Sequence, residues 1–180
     1  MGADIIVAPK QAASATDLEQ VVLDGVPSSF YMSSSKLDEV AARDGVELAS
    51  PQYYLATMKA GCCSFPVQII GIDPQTDFTI QPWIDHSYSS ELGEMDVVAG
   101  CNVTGAPGSS VLFYDQECRI VSKLDETGTA LDNAVFCNVA TIRRLIAAFE
   151  KKGFDTQSGL DPGSVISLVQ VRVADGVDVQ

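Results

Sequence analysis

Positive charge is scarce in this sequence: eleven Lys and Arg stand against 24 Asp and Glu, a net charge of −13. Such a chain repels phosphate backbones and anionic lipid surfaces, which argues against nucleic acid as a partner. Only Arg143, Arg144, Lys151 and Lys152 gather locally. His86 is the single histidine, so no histidine cluster exists to build a metal site around. The five cysteines, Cys62, Cys63, Cys101, Cys118 and Cys137, are an odd number and cannot all pair within one chain. None stands in a Cys-x-x-Cys, so zinc and thioredoxin spacings are both missing. They are expected to be reduced and mostly buried, with a Cys101–Cys118 disulfide as the alternative. No run approaches the roughly 18 apolar residues of a membrane span. No basic stretch leads into an apolar one as a signal peptide would. Met1-Gly2 is not followed by the pattern for myristoylation, since Ile6 stands where Ser or Thr is needed.

What is present is a core. Hydrophobic residues make up 46% and charged residues 19% of the 180, enough for one domain or two small lobes. The strand pattern Asp4–Ala8 begins at once, which fits an excised domain. Thr16-Asp17-Leu18-Glu19 is a capping box that opens a short helix closed by Gly25 and Pro27. Ser33–Ser35 caps a second helix over Lys36–Asp44, with acidic Asp38 and Glu39 at its dipole-positive end. Val46–Ala49 predicts a strand, Pro51 a bend, and Tyr53–Ala60 a further extended segment. The β-branched run Val67–Ile72 predicts a strand buried on both faces, followed by a second extended, aromatic segment from Asp77 to Trp83. This stretch, Cys62 to Trp83, is the one the rest of the chain is organised around.

From about Gly93 the texture becomes β-rich. Strands are expected over Met95–Ala99, Ser110–Tyr114, Cys118–Leu124 and Ala134–Asn138, with Tyr114–Glu117 as a hairpin connection. Asn138 caps a helix over Val139–Lys152, whose Ile142, Leu145, Ile146 and Phe149 form one core-facing stripe. Val165–Val173 predicts a central strand, and Ala174–Gln180 is polar and turn-like. The fold class read from this order is α+β.

Candidates for chemistry are few. Gly105–Ser110 lacks the ending of a phosphate loop and reads as a turn. Gly-x-Ser-x-Gly is absent. Cys62 or Cys63 as a nucleophile would need His86 beside it as base. Asp73, Asp77 and Asp85 supply oxygens of the kind calcium takes, without the spacing of an EF-hand. Tyr53, Tyr54, Phe78, Trp83 and Tyr88 could together form an aromatic contact surface, although core packing is the simpler expectation for each. The reading from residues alone is therefore no catalytic site, no metal, no cofactor, and an unassigned binding surface.

Several stretches, in order, resemble the extracytoplasmic core domain of MacB/FtsX/LolC-type ABC transporter permeases. They are Gly2–Pro9, Gly45-Val46 followed by Ser50-Pro51-Gln52, Val67–Pro74, Leu124-Asp125-Glu126-Thr127-Gly128-Thr129, and the valine-rich Val165–Val173. The resemblance implies a mixed α/β porter-like lobe, residues 1–92 and 160–180, with a small β-rich sabre-like lobe carrying one helix, residues 93–159, inserted into it. It implies no catalysis in this part. It places the domain outside the cell membrane that holds the parent permease, engaging cargo or partner proteins and transmitting motion driven by a separate cytoplasmic ATPase subunit. A second permease copy and a periplasmic adaptor are further expected partners. The family's porter lobe would continue past Val165–Val173 with a helix and a strand, whereas this sequence stops at Gln180. The alternative is a free-standing secreted α+β binding protein.

Overall fold

The strand Gln68–Ile72 (β4) is buried at all five positions. This is what a continuous Ile-rich run requires, because both pleat faces must then be covered. The structure is a computed structural model and describes residues 2–10, 26–57, 61–153 and 159–177. The helix expected from Thr16 to Gly25 falls outside them.

The strands before β4 are Ile5–Val7 (β1), Met32–Ser33 (β2) and Val46–Ala56 (β3); after it come Asp96–Ala99 (β5), Ser110–Phe113 (β6), Gln116–Lys123 (β7), Ala134–Asn138 (β8), Val165–Ile166 (β9) and Leu168–Val173 (β10). Eight of them form one sheet in the order β1-β10-β3-β4-β8-β5-β7-β6, while β2 pairs with β9 separately. The β4–β8 and β5–β7 pairs are parallel and the other pairs antiparallel. Among the described residues the α-helices are Ser35–Ala41 (α1), Gln81–Ser87 (α2) and Val139–Lys151 (α3).

Side-chain alternation divides the core between the two sheet faces. Tyr53, Leu55, Ile69, Val97, Val135 and Val169 point to one face, where Ile142, Leu145, Ile146 and Phe149 of α3 cover them and Leu37 and Val40 of α1 pack alongside. Tyr54, Ile70, Ile72, Val98, Phe136 and Leu168 point to the other, where Ile80 and Ile84 at α2 cover them. The expected stripe of α3 is thus its buried face. Asn138 caps that helix as its sequence predicts, its Oδ1 accepting from the Thr141 N–H at 2.9 Å.

Four elements differ from the sequence-based expectation. The helix expected over Lys36–Asp44 is Ser35–Ala41, and its N-cap residue Ser34 makes no side-chain capping bond. The segment Asp77–Trp83 does not continue extended; it turns into α2. The Asp77 carboxylate accepts from the backbone N–H groups of Thr79, Ile80 and Gln81 at 2.9, 2.6 and 2.9 Å, and Pro82 fits the first turn, where no N–H is needed. Pro51 does not bend the chain; it lies within the uninterrupted β3. The Gln52 carbonyl accepts from Ser167 beside β10, so the backbone of residue 51 faces the other way, toward β4. There pairing ends with Ile72 opposite Gln52, and the missing proline N–H leaves no acceptor unfilled. Finally, Val165–Val173 is broken at Ser167, whose hydroxyl accepts from the Tyr54 N–H at 2.7 Å. That bond takes the chain from β9 into β10.

The segment 93–159 contributes β5 to β8 and α3. Through β8 paired with β4, its strands join those of 1–92 and 160–180 in the one sheet. Core residues of both segments share each face.

Gly71 sets how closely α3 lies on this sheet. A Cβ there would stand 2.4 Å from Ile142 Cγ2 and 2.5 Å from its Cβ. Gly71→Ala is therefore expected to cost about 2 kcal/mol by overpacking. Combined with Ile142→Ala it should cost clearly less than the two changes added. A urea-denaturation double-mutant cycle measures this, and strict additivity would show that the helix is not seated on Gly71.

Candidate functional site

A cleft of about 780 Å³ opens where β4 and β8 end, beside the first turn of α3. Asp73, Asp85, Glu91, Arg143, Tyr53 and Asn138 contribute to its walls. Its polar groups are largely engaged in holding the fold. Asp73 Oδ1 accepts from the Gln75 N–H at 3.0 Å, and Asp85 Oδ1 accepts from Gln81 Nε2 at 2.7 Å. Asn138 Nδ2 donates to the Leu92 carbonyl at 2.7 Å while its oxygen caps α3. Burial raises the Tyr53 hydroxyl above its ordinary pKa, against the opposing pull of the nearby Arg143 guanidinium. Ser89 and Ser90 also line the cleft, next to Glu91.

The sequence-derived candidates are dispersed. Cys62 and Cys63 pack against the α3 face of the sheet, whereas His86 belongs to α2, on the opposite face. His86 Nε2 lies 3.6 Å from the Asp125 carboxylate in an exposed pair. The sheet stands between thiols and imidazole, which rules out the cysteine–histidine arrangement. All five cysteines are thiols, so the Cys101–Cys118 disulfide is not formed. Cys118 is buried in β7 and Cys101 sits in the turn after β5, beside Asn102.

Asp77 is buried, and besides its three backbone donors it accepts from Gln52 Nε2 at 3.0 Å. With its oxygens committed to N–H groups it is a folding device for the α2 entrance, not a calcium ligand. Among the described residues no group of three or more His, Cys, Asp or Glu is placed to hold a metal ion. The five aromatics do not share a surface. Tyr53 and Tyr54 are buried on opposite faces, Phe78 is buried under the Arg172 guanidinium at 4.5 Å, Tyr88 is half-buried against the core on the α2 face, and Trp83 is exposed. Gly105–Ser110 is a turn, with the Gly108 N–H donating to the Ile120 carbonyl at 2.7 Å and Ser109 Oγ to the Ala106 carbonyl at 2.6 Å. The basic concentration is shared out: Arg144 pairs with Glu94 and Lys152 with Asp115.

Two arrangements were not read from the sequence. The first is a buried carboxylate. Asp132 accepts from the Thr127 N–H at 2.9 Å, the Thr127 hydroxyl at 2.7 Å and the Gly128 N–H at 2.9 Å. Burial alone would raise its pKa, but the bonds from Thr127 and Gly128 together outweigh burial and hold it below the usual carboxylate range. The Thr-Gly-Thr run followed three residues on by Asp132 was the available signal. The second is the hold of the Gly61–Ser64 turn on the outer edge of β6. The Ser64 N–H donates to the Leu112 carbonyl at 2.8 Å, and Leu112 returns its N–H to Ser64 Oγ at 2.8 Å. An edge strand covered in this way cannot recruit another chain there.

The mixed sheet, with α1 and α3 on one face and α2 on the other, is similar in fold to a domain of known structure. The periplasmic region of MacB from Actinobacillus actinomycetemcomitans is similar over 96% of this chain and 75% of that one, with a TM-score of 0.51 at 12% identity. The extracellular domain of the noncanonic ABC-type transporter YknZ from Gram-positive bacteria aligns with 96% of this chain and 85% of its own, with a TM-score of 0.48 at 12% identity. No protein-family model and no curated protein matches the sequence. At this identity the likeness is one of fold, and in fold the expected resemblance holds. Among the described residues no helix is long and apolar enough to cross a membrane.

Proposed function

We propose that this chain is the extracytoplasmic domain of an ABC transporter permease, where it engages cargo or partner proteins and transmits motion driven by a separate cytoplasmic ATPase. The observation that carries this reading is the likeness of fold to the periplasmic region of MacB along 96% of the chain. A second permease copy, a periplasmic adaptor or cargo would be met by exposed surface, including Trp83 on α2.

The division into a porter-like part, residues 1–92 and 160–180, and a sabre-like part, residues 93–159, belongs to this proposal as a division of outer surfaces. Both parts draw on one sheet, so they would move as a unit, with different partners meeting different ends.

The test is to tag the native protein in its own host. Protease added outside the cytoplasmic membrane should digest the tagged domain, and an ABC ATPase should co-purify with it in detergent. Recovery as a single soluble secreted domain would instead establish the free-standing binding protein. Protection from external protease would end both readings.

A further inference from the structure

We propose that Cys62 and Cys63 form a vicinal dithiol that closes to an intramolecular disulfide by exchange with a low-molecular-weight disulfide. Successive side chains of an extended segment point to opposite sides, yet here the turn at Gly61–Ser64 brings the two sulfurs to 3.7 Å. Both residues are half-buried, with some surface left for an attacking disulfide. The turn is anchored at both cysteines. The Asp115 N–H donates to the Cys62 carbonyl at 2.9 Å, and the Tyr114 N–H donates to Cys63 Sγ at 3.4 Å. Lys152, paired with the Asp115 carboxylate, lies within electrostatic reach of both sulfurs and puts positive charge beside the site of attack.

The other three thiols are set apart. Burial pushes the Cys118 thiol up to about 12 and raises Cys137 well above the ordinary range. Burial, reinforced by Asp132, also raises Cys101. A raised thiol pKa leaves less thiolate, and exchange needs the thiolate.

The reaction balances within the pair and its oxidant. One cysteine thiolate attacks a sulfur of the external disulfide, forms a mixed disulfide and releases one external thiolate. The neighbouring cysteine thiolate then attacks the cysteine sulfur of that mixed disulfide and expels the second external thiolate. Two electrons pass from the dithiol to the oxidant, and the two cysteine protons end on the two released thiols. Closure must draw the sulfurs from 3.7 Å to the covalent separation of about 2.05 Å. Cys63 Sγ cannot make that move and keep its bond from Tyr114 unchanged, so closure loosens the turn that covers β6. This chemistry depends on the thiol pair and not on the membrane placement proposed above.

The experiment treats the full-length protein with oxidised glutathione, quenches in acid, alkylates remaining thiols and maps them by mass spectrometry. Wild type should lose two hydrogens in the peptide holding Cys62 and Cys63 and carry no adduct there. Hydrogen exchange at the amides of Leu112, Tyr114 and Asp115 should quicken on oxidation. Cys62→Ser and Cys63→Ser should each keep a stable glutathione adduct on the remaining cysteine, because nothing adjacent displaces it. Phenylarsine oxide gives a measurement independent of the variants: one equivalent should shield both thiols from alkylation. A persistent adduct on wild type, a link between two chains through these residues, or two thiols still fully alkylated after treatment would overturn the proposal.

Discussion

Gly100→Ala is expected to destabilise the protein by about 3 kcal/mol or more, toward the severe end of overpacking because the obstacle is main chain. A Cβ at Gly100 would stand 2.4 Å from the carbonyl oxygens of both Leu131 and Asp132. Those atoms belong to the 3₁₀ turn Ala130–Asn133, which crosses directly over the end of β5. The crossing is fixed from both sides: the Gly100 N–H donates to the Ala134 carbonyl at 2.8 Å, and the Asn102 N–H donates to the Asp132 carbonyl at 2.9 Å. A side chain could swing aside, but this backbone cannot without breaking bonds that a buried segment needs. For a chain of this size the change should lower Tm by about 6–12 °C. A loss below about 1 kcal/mol in urea denaturation would mean that the turn does not lie on Gly100.

Asp132→Asn carries the second large effect. The carboxylate is acceptor-only, and three donors converge on it from Thr127 and Gly128. A carboxamide presents one oxygen and an NH₂ group, so at least one donor would face another donor. The cost at pH 7 should be about 2–3 kcal/mol, the range for hydrogen bonds to a charged group with a donor left unmet. Because folding holds the Asp132 carboxyl below its ordinary pKa, its contribution is fully present above the unfolded value of about 3.9 and is lost as pH falls through the folded value. The gap between wild type and Asp132→Asn should therefore be widest near neutrality and shrink as the pH is taken below about 4. Denaturation midpoints across that range measure it, and a gap constant with pH would show that the charge is not what the site holds.

These two predictions also mark where the sequence stopped being readable. Periodicity located β4, β8 and α3, because each is decided by its own residues: an Ile-rich run, an AVFCN pattern, an Asn cap before a 3.6-residue stripe. The hairpin at Tyr114–Asp115 was legible from polar residues between two apolar runs, and both residues adopt positive φ, at 54° and 60°. Long-range contacts overrode the rest. Pro51 looked like a bend because its tolerance depends on where β4 ends, more than twenty residues away. The Asp77 segment looked extended because its aromatic spacing outweighed the reach of one carboxylate to three N–H groups. The aromatic cluster dissolved because neighbours in sequence, Tyr53 and Tyr54, face opposite sides of a strand. The enclosing role of Gly100 had no local signature at all.

At one corner of the sheet β1 lies antiparallel to β10, with Ile5 opposite Val171 and Val7 opposite Val169. The Asp4 N–H donates to the Val171 carbonyl at 2.9 Å, and the Val173 N–H returns a bond to the Asp4 carboxylate at 2.9 Å. Force that separated Asp4 from Val173 would fall on these bonds one after another, as on the teeth of a zip, rather than on all of them at once.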